Sequence, residues 1–322
     1  MKFSVLIPVI SLNFYSERVL SSLHEKILSF PDIEFVVIVS NSNIRSLVLQ
    51  LFALPNPSAN FKLYIANSLS SNYLRKYAAL KATCTYSIYQ DCDDEINYNF
   101  LLRYYLSNEN ILLTILPIIS FNIKRLSYDN NSLVVQEKVL YNNKNYNNKL
   151  GCEISHIEHL PKNIVAKLIP TFILRTLDFS NLPFTQDWFL SYQLFLLKQH
   201  YFYNDIIYLY HNYPDSSAHV KHTKFYGLKR VLIAKKMILR LYQNCANRDS
   251  YNYINFHYEV LLVHRFAHIG FFYFPHSPFG LTKDFLHFNF LLLFRKLYNI
   301  TKVFKVLVVL KCKFSTRYFS SV

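Results

Sequence analysis

The sequence predicts an α/β protein with a mainly parallel sheet flanked by helices, followed by a basic α-helical C-terminal region. Three observations predict it. Continuous apolar runs of strand length alternate with segments of helical period through the first ninety residues. Such runs suit strands covered on both faces, and their alternation with helices gives βαβ units. The chain has 322 residues and is 52% hydrophobic, which allows a large core and argues against disorder. The charge is uneven: residues 1–219 hold 18 Lys+Arg and 17 Asp+Glu, whereas residues 220–322 hold 17 and 3. A nearly neutral α/β domain at 1–220 and a basic amphipathic region at 221–322 are therefore expected.

The elements follow in order. "FSVLIPVI" (3–10) reads as a buried first strand, closed by Pro8 as a strand terminator. "SERVLSSLHEKILSF" (16–30) has helical period, with Val19, Leu20, Leu23, Ile27 and Leu28 in one stripe and Ser16 as its cap. "IEFVVIVSNS" (33–42) is a second buried strand ending in Ser40 and Asn41, and "RSLVLQLFAL" (45–54) reads as a helix. After a Pro-rich break at 55–57, "FKLYIAN" (61–67) is a third strand. "SNYLRKYAALKAT" (71–83) is a helix with Leu74, Tyr77, Ala78 and Lys81 in register, and "CTYSIYQD" (84–91) is the fourth strand. Right-handed crossovers bring the C-terminal ends of these strands to one edge, where ligands of open α/β sheets bind. Ser40–Asn41, Asn67–Ser68 and Asp91–Asp94 should meet there.

Further on, "YNNKNYNNK" (141–149) is a polar, low-complexity loop. "IPTFILRT" (169–176) leads to "LPFTQDWFLSYQLFLLKQ" (182–199), a turn and a helix carrying Trp188, Tyr192, Phe195 and Leu196. "YFYNDIIYLYHNYPDSSAHV" (201–220) reads as a short strand pair and a polar loop.

Three aspartates and a glutamate occupy positions 91–95 in "SIYQDCDDEI". Carboxylates spaced this way at a strand end can hold a hard divalent ion that also takes diphosphate oxygens. An acidic turn in solvent is the plainer reading of the triplet alone. Asp187 has the same two faces: an acid beside Trp188 and Phe184 is desolvated enough to accept a proton, and it also fits a helix N-cap.

Taken together, "FSVLIPVI", "IEFVVIVSNS" and "SNYLRKYAALKATCTYSIYQDCDDEI" resemble glycosyltransferase family 2 of the GT-A fold. "FILRTLDFSNLPFTQDWFLSYQLF" resembles that family's acceptor segment, and "YLYHNYPDSSAHV" its following strand and loop. The resemblance spans about residues 1–220. It implies an inverting, metal-dependent transfer of a sugar from a nucleoside-diphosphate donor to a hydroxyl of a glycan or glycolipid, as in bacterial lipopolysaccharide or capsule synthesis. Asp187 would be the catalytic base. Asp91 would lie at the nucleotide ribose, and Asp93 would hold the diphosphate and the metal, Mn²⁺ or Mg²⁺. Asp94 would be a further metal ligand or an orienting residue. Pro8, Ser40 and Asn41 would line the donor pocket, and Arg75 would reach a phosphate. Trp188 would stack on the acceptor sugar, or else pack in the core. His211, His219 and His222, with Lys221 and Lys224, would contact the diphosphate or belong to an exposed loop.

Two positions depart from the family pattern. Ser40 and Asn41 stand where it has an acidic pair, and Gln186 precedes Asp187 where it has an acid. A non-catalytic GT-A-like protein that binds glycan or membrane is therefore the alternative, with a nucleotidyltransferase behind it.

Residues 223–322 combine Lys and Arg with Phe, Leu and Tyr at helical spacing, as in "FYGLKRVLIAKKMILRLY". Wide apolar stripes flanked by lysines favour an anionic membrane surface over nucleic acid, for which no motif is present. Helices packed on the catalytic domain fit as well. No apolar run reaches membrane-spanning length, the start lacks a signal-peptide cleavage pattern, and five scattered cysteines suggest no disulfide framework. A cytoplasmic protein, peripheral on the inner face of the cytoplasmic membrane, is the expectation.

Overall fold

The structure is a computed structural model and describes residues 1–52, 59–129, 134–141, 150–155, 159–179 and 186–213. The expected boundary at 220, the basic helices, His219, His222, Lys221, Lys224, Phe184 and the 55–57 break lie outside these residues.

The first half of the described chain is a βαβ series. Strands β1 (Phe3–Val9), β2 (Ile33–Val39), β3 (Phe61–Ile65) and β4 (Tyr86–Tyr89) alternate with helices α1 (Phe14–Ser29), α2 (Ser42–Phe52) and α3 (Ser71–Lys81). Every residue of β1 and β2 is buried, as continuous apolar runs require of strands covered on both faces. Each fully buried aliphatic or aromatic side chain contributes about 1.5–3 kcal/mol. The second half adds β5 (Glu95–Ile96), α4 (Tyr98–Ile115), β6 (Ile118–Tyr128), β7 (Val134–Val139), β8 (Cys152–Glu153) and β9 (Lys167–Pro170). It closes with α5 (Thr171–Thr176), α6 (Gln186–Leu197) and β10 (His200–Asn212).

The main path of the ten-stranded sheet runs β3-β2-β1-β4-β9-β6-β10-β5. From β3 to β4 every pair is parallel. Strand β9 runs antiparallel to both β4 and β6, joining the parallel nucleus to a mixed half in which β6 and β10 are again parallel. The order 3-2-1-4 reverses between β1 and β4, which opens the crevice of an α/β sheet beyond the C-terminal ends of those two strands.

Local chemistry corrects four expectations. The cap of α1 is Asn13, not Ser16: Asn13 Oδ1 accepts from the Ser16 amide at 2.8 Å, and Ser16 Oγ accepts from the Asn13 amide at 2.8 Å. This reciprocal box puts Ser16 at the third helical position. Leu28 is 59% exposed, so the buried stripe of α1 ends at Ile27. Pro8 lies inside β1, opposite Ile38. Its tertiary nitrogen is tolerated because it faces the β4 side, where the ladder stops at Leu6–Tyr89. Finally, residues 200–212 form one long strand with register shifts at 203–208, not a strand pair, and these shifts let it follow β6 along its length.

A polar cluster fixes the N-terminal edge of the sheet. The fully buried Glu34 carboxylate accepts hydrogen bonds from Ser4 Oγ and Lys62 Nζ. It also accepts from the Thr83 amide at 2.8 Å and the Thr83 hydroxyl at 2.6 Å. Burial alone would raise its pKa, but Lys62, Ser4 and Thr83 outweigh that and hold it at about 2.

Candidate functional site

The strand ends gather as the topology requires. The Ser40 amide donates to Val9 O at 3.0 Å, and its hydroxyl donates to Ile10 O at 2.7 Å. Ser40 O accepts from the Ser68 amide at 3.1 Å, which ties the ends of β1, β2 and β3 together. The Asn41 side chain accepts from the Ile44 amide at 3.0 Å and so caps α2. In this structure the side chains of Ser40 and Asn41 bond to the fold's own backbone.

The acidic run after β4 is built into the fold, which the plainer reading of a solvated turn did not anticipate. Gln90 donates its amide to Leu6 O at 3.0 Å, and its Nε2 donates to Asp94 O at 2.8 Å. Its Oε1 accepts from the Tyr98 hydroxyl. Asp94 is 1% exposed. Its Oδ2 accepts from Tyr208 Oη at 2.8 Å and its Oδ1 from the His211 amide at 2.9 Å. Tyr208 Oη in turn accepts from the Asp91 amide at 3.0 Å. With both oxygens directed at β10, Asp94 fits the orienting role rather than that of a metal ligand. His211 belongs to β10 and not to a loop: its Nδ1 lies 2.7 Å from Tyr128 Oη and its Nε2 lies 3.4 Å from Glu95 Oε1. His211 is also the main reason Glu95 titrates below the usual range.

Asp187 sits in the first turn of α6, inside the helix rather than at its cap. Arg75, 7% exposed on α3, reaches both acidic centres. One terminal nitrogen donates to Asp91 Oδ1 at 2.9 Å and the other to Asp187 Oδ1 at 3.0 Å. Arg75 was expected to meet a phosphate; here its fork meets two carboxylates. Its buried Nε has no partner among the described residues. Trp188 follows on the same turn, and Lys162 Nζ lies 4.8 Å from its ring, which gives the indole a cation–π partner.

Among the described residues the charges at this edge do not balance. Arg75 pairs with Asp91 and Asp187, and among those residues no ion pair is made by Asp93 or Asp94. Burial, with Asp91 nearby, raises Asp93 to about 6. Burial and the same neighbours push Asp94 well up. Burial also raises Asp187, against the opposing pull of Arg75. An edge with surplus desolvated carboxylate is one that a bound cation would relieve. Among the described residues no group of three or more His, Cys, Asp or Glu is arranged to hold a metal ion by itself. Asp91 is paired with Arg75 and Asp94 with β10, so Asp93 is the aspartate of the run outside those contacts.

Sequence reasoning missed Gln90, Tyr98, Tyr208 and Ile164. Gln90 had a signal, since an amide at the end of a buried strand needs partners. Tyr208 had none, because its role depends on which strand lies beside the acidic loop.

No protein-family model and no curated protein sequence matches the chain. Solved structures do match. S. aureus TarS 1-349 superposes with a TM-score of 0.54 at 14% identity, over 90% of this chain and 79% of that one. The same TarS fragment in complex with UDP-GlcNAc gives a TM-score of 0.56 at 14% identity, over 82% and 72% of the two chains. Its complex with UDP gives 0.52 at 16% identity, over 80% and 70%. The chain shares the fold of these structures, a GT-A-like arrangement of a mostly parallel sheet flanked by helices. In that fold the acidic run stands at the C-terminal edge of the parallel strands, and Arg75 links Asp187 to it. No described helix is long and apolar enough to cross a membrane.

Proposed function

We propose that this protein is an inverting, metal-dependent glycosyltransferase that moves a sugar from a nucleoside-diphosphate donor to a hydroxyl of a bacterial surface glycan or its lipid-linked precursor. One observation carries the reading. Asp91 and Asp187, remote in sequence, flank a single guanidinium at the ligand-binding edge of the sheet. The fold is shared with TarS, whose complexes hold UDP and UDP-GlcNAc, and this favours a uridine-diphosphate sugar as donor.

In this reading the donor's diphosphate lies along the loop 91–94 and its ribose near Asp91. A divalent ion on Asp93, Mn²⁺ or Mg²⁺, would neutralise charge on the departing diphosphate. Asp187 accepts the acceptor hydroxyl's proton as the oxygen attacks the anomeric carbon and the bond to the diphosphate breaks. A single displacement inverts that carbon. Desolvation makes Asp187 a better base than an exposed aspartate. The helix N-terminus beneath it favours the carboxylate and moderates the effect. Trp188, with Lys162 on its ring, lies on the acceptor side. The basic region 221–322 would hold the enzyme at an anionic membrane where such acceptors are assembled.

The test is an assay of the full chain against a panel of nucleotide sugars with Mn²⁺ or Mg²⁺, reading the released product. Release of a nucleoside diphosphate supports the proposal. Release of inorganic diphosphate identifies a nucleotidyltransferase, and binding without turnover identifies a non-catalytic protein.

A further inference from the structure

We propose that Arg75 is a positioning residue that fixes the carboxylate of Asp187 relative to the donor loop, so that the two halves of the site are assembled through one side chain. The inference rests on the glycosyl-transfer reading and assigns Arg75 a task other than binding phosphate.

Three elements converge on this side chain. It projects from α3, where Tyr89 Oη at the end of β4 donates to the Arg75 carbonyl at 2.9 Å. Asp91 is set by the Tyr208 hydroxyl on its amide at 3.0 Å. Asp187 comes from α6 and has two fixed anchors among the described residues, Arg75 and a backbone hydrogen bond to Ile164. The guanidinium therefore carries the orientation of the base across the crevice. A planar fork suits this task, because its two terminal nitrogens point to different acids at the same time, which a lysine ammonium cannot do at both distances. The spare buried Nε leaves one donor for a ligand oxygen without breaking either ion pair.

The charged groups around Asp187 are few. Arg75 lowers its proton affinity and Asp91 raises it. Lys167 on β9 and Tyr141 also feel its charge. Lys167 is buried, donates to Pro161 O at 2.7 Å and Ser120 Oγ at 3.2 Å, and is pushed down to about 7 by burial. Arg75 is thus the one full positive charge in direct contact with the Asp187 carboxylate among the described residues. Without it, Asp187 should hold its proton to higher pH and lose its fixed aim.

The experiment has an arm that needs no substrate. Aspartates labelled with ¹³C at the carboxyl are titrated in the full chain, with the Asp187 signal identified by its loss in Asp187→Asn. Arg75→Gln should move the Asp187 midpoint up by about one pH unit or more, and Arg75→Lys by less. An unmoved midpoint in both variants overturns the proposal. Arg75→Lys retains a charge and a hydrogen-bond donor, so it keeps the test alive if Arg75→Gln does not fold. In the second arm, Arg75→Gln should lower kcat on the order of 10²-fold, shift the acidic limb of the kcat profile upward by the same amount, and change donor KM less than about threefold. Arg75→Lys should recover part of kcat. A raised KM with unchanged kcat would make Arg75 a donor ligand and overturn the positioning role. A midpoint shifted in Arg75→Gln, together with a wild-type chain that transfers no sugar, would support the bridge and remove the proposed function.

Discussion

The two edges of one sheet treat acid in opposite ways. At the N-terminal edge, Glu34 is fully buried and surrounded by Lys62, Ser4 and Thr83, and its pKa falls to about 2. At the C-terminal edge, Arg75 pairs with Asp91 and Asp187, and Asp93, Asp94 and Asp187 are driven upward. The first is a closed structural network in which every oxygen has a donor. Among the described residues the second has more carboxylates than cationic partners, a state that a bound cation would relieve. Buried acid alone does not mark a site; a cluster of desolvated acids that outnumbers its cationic partners is the better pointer.

Substitutions can break or sharpen this contrast. The largest effect should come from Asp187→Asn, which removes the base while keeping the shape: kcat should fall on the order of 10²–10⁴-fold, with the melting temperature little changed. A steady-state assay beside a thermal melt checks this, and a variant that unfolds instead would make Asp187 as structural as Glu34. Glu34→Gln should do the reverse, costing about 3 kcal/mol of stability and leaving kcat alone. Because the folded pKa of Glu34 is depressed, its contribution is complete above the ordinary value of 4.5 and is lost as pH falls toward about 2. Urea unfolding of wild type and variant should therefore differ at pH 7 and converge near pH 2. Tyr208→Phe strips one hydrogen bond from Asp94 and one from the Asp91 amide, and should cost about 1–3 kcal/mol while weakening donor binding. If donor affinity stays constant, the loop does not depend on β10 for its shape. The smallest change is expected for Lys81→Ala. This residue lies 5.1 and 5.2 Å from the rings of Tyr64 and Tyr77, so its loss should cost about 0.5–1 kcal/mol with no kinetic effect.

What the sequence showed and what it hid follow the range of the interactions. The parallel half was legible because its strands are continuous apolar runs and its helices carry their own period. Boundaries slipped where a short polar side chain decided them, as Asn13 did for α1. The placement of Asp91 at the edge followed from the topology rule, whereas Asp187 entered only through the family resemblance. The partners of those acids followed from neither. Arg75 reads as a residue that reaches a phosphate, and its two carboxylate partners emerge only when α6 is brought beside it. The long strand β10 was read as two because its register shifts at 203–208 interrupt the alternation that marks a strand.

The central claim is that the acid surplus at the C-terminal edge is completed by a divalent cation and a nucleotide sugar. Thermal melts of wild type, Glu34→Gln and Asp93→Asn, each with UDP-GlcNAc and Mn²⁺ together and separately, address it most directly. At ligand concentrations about 100-fold above Kd, wild type and Glu34→Gln should each gain about 5 °C or more with both ligands present, and Asp93→Asn should gain almost nothing. An equal gain in Asp93→Asn, or no gain in wild type with any nucleotide sugar, would contradict the account.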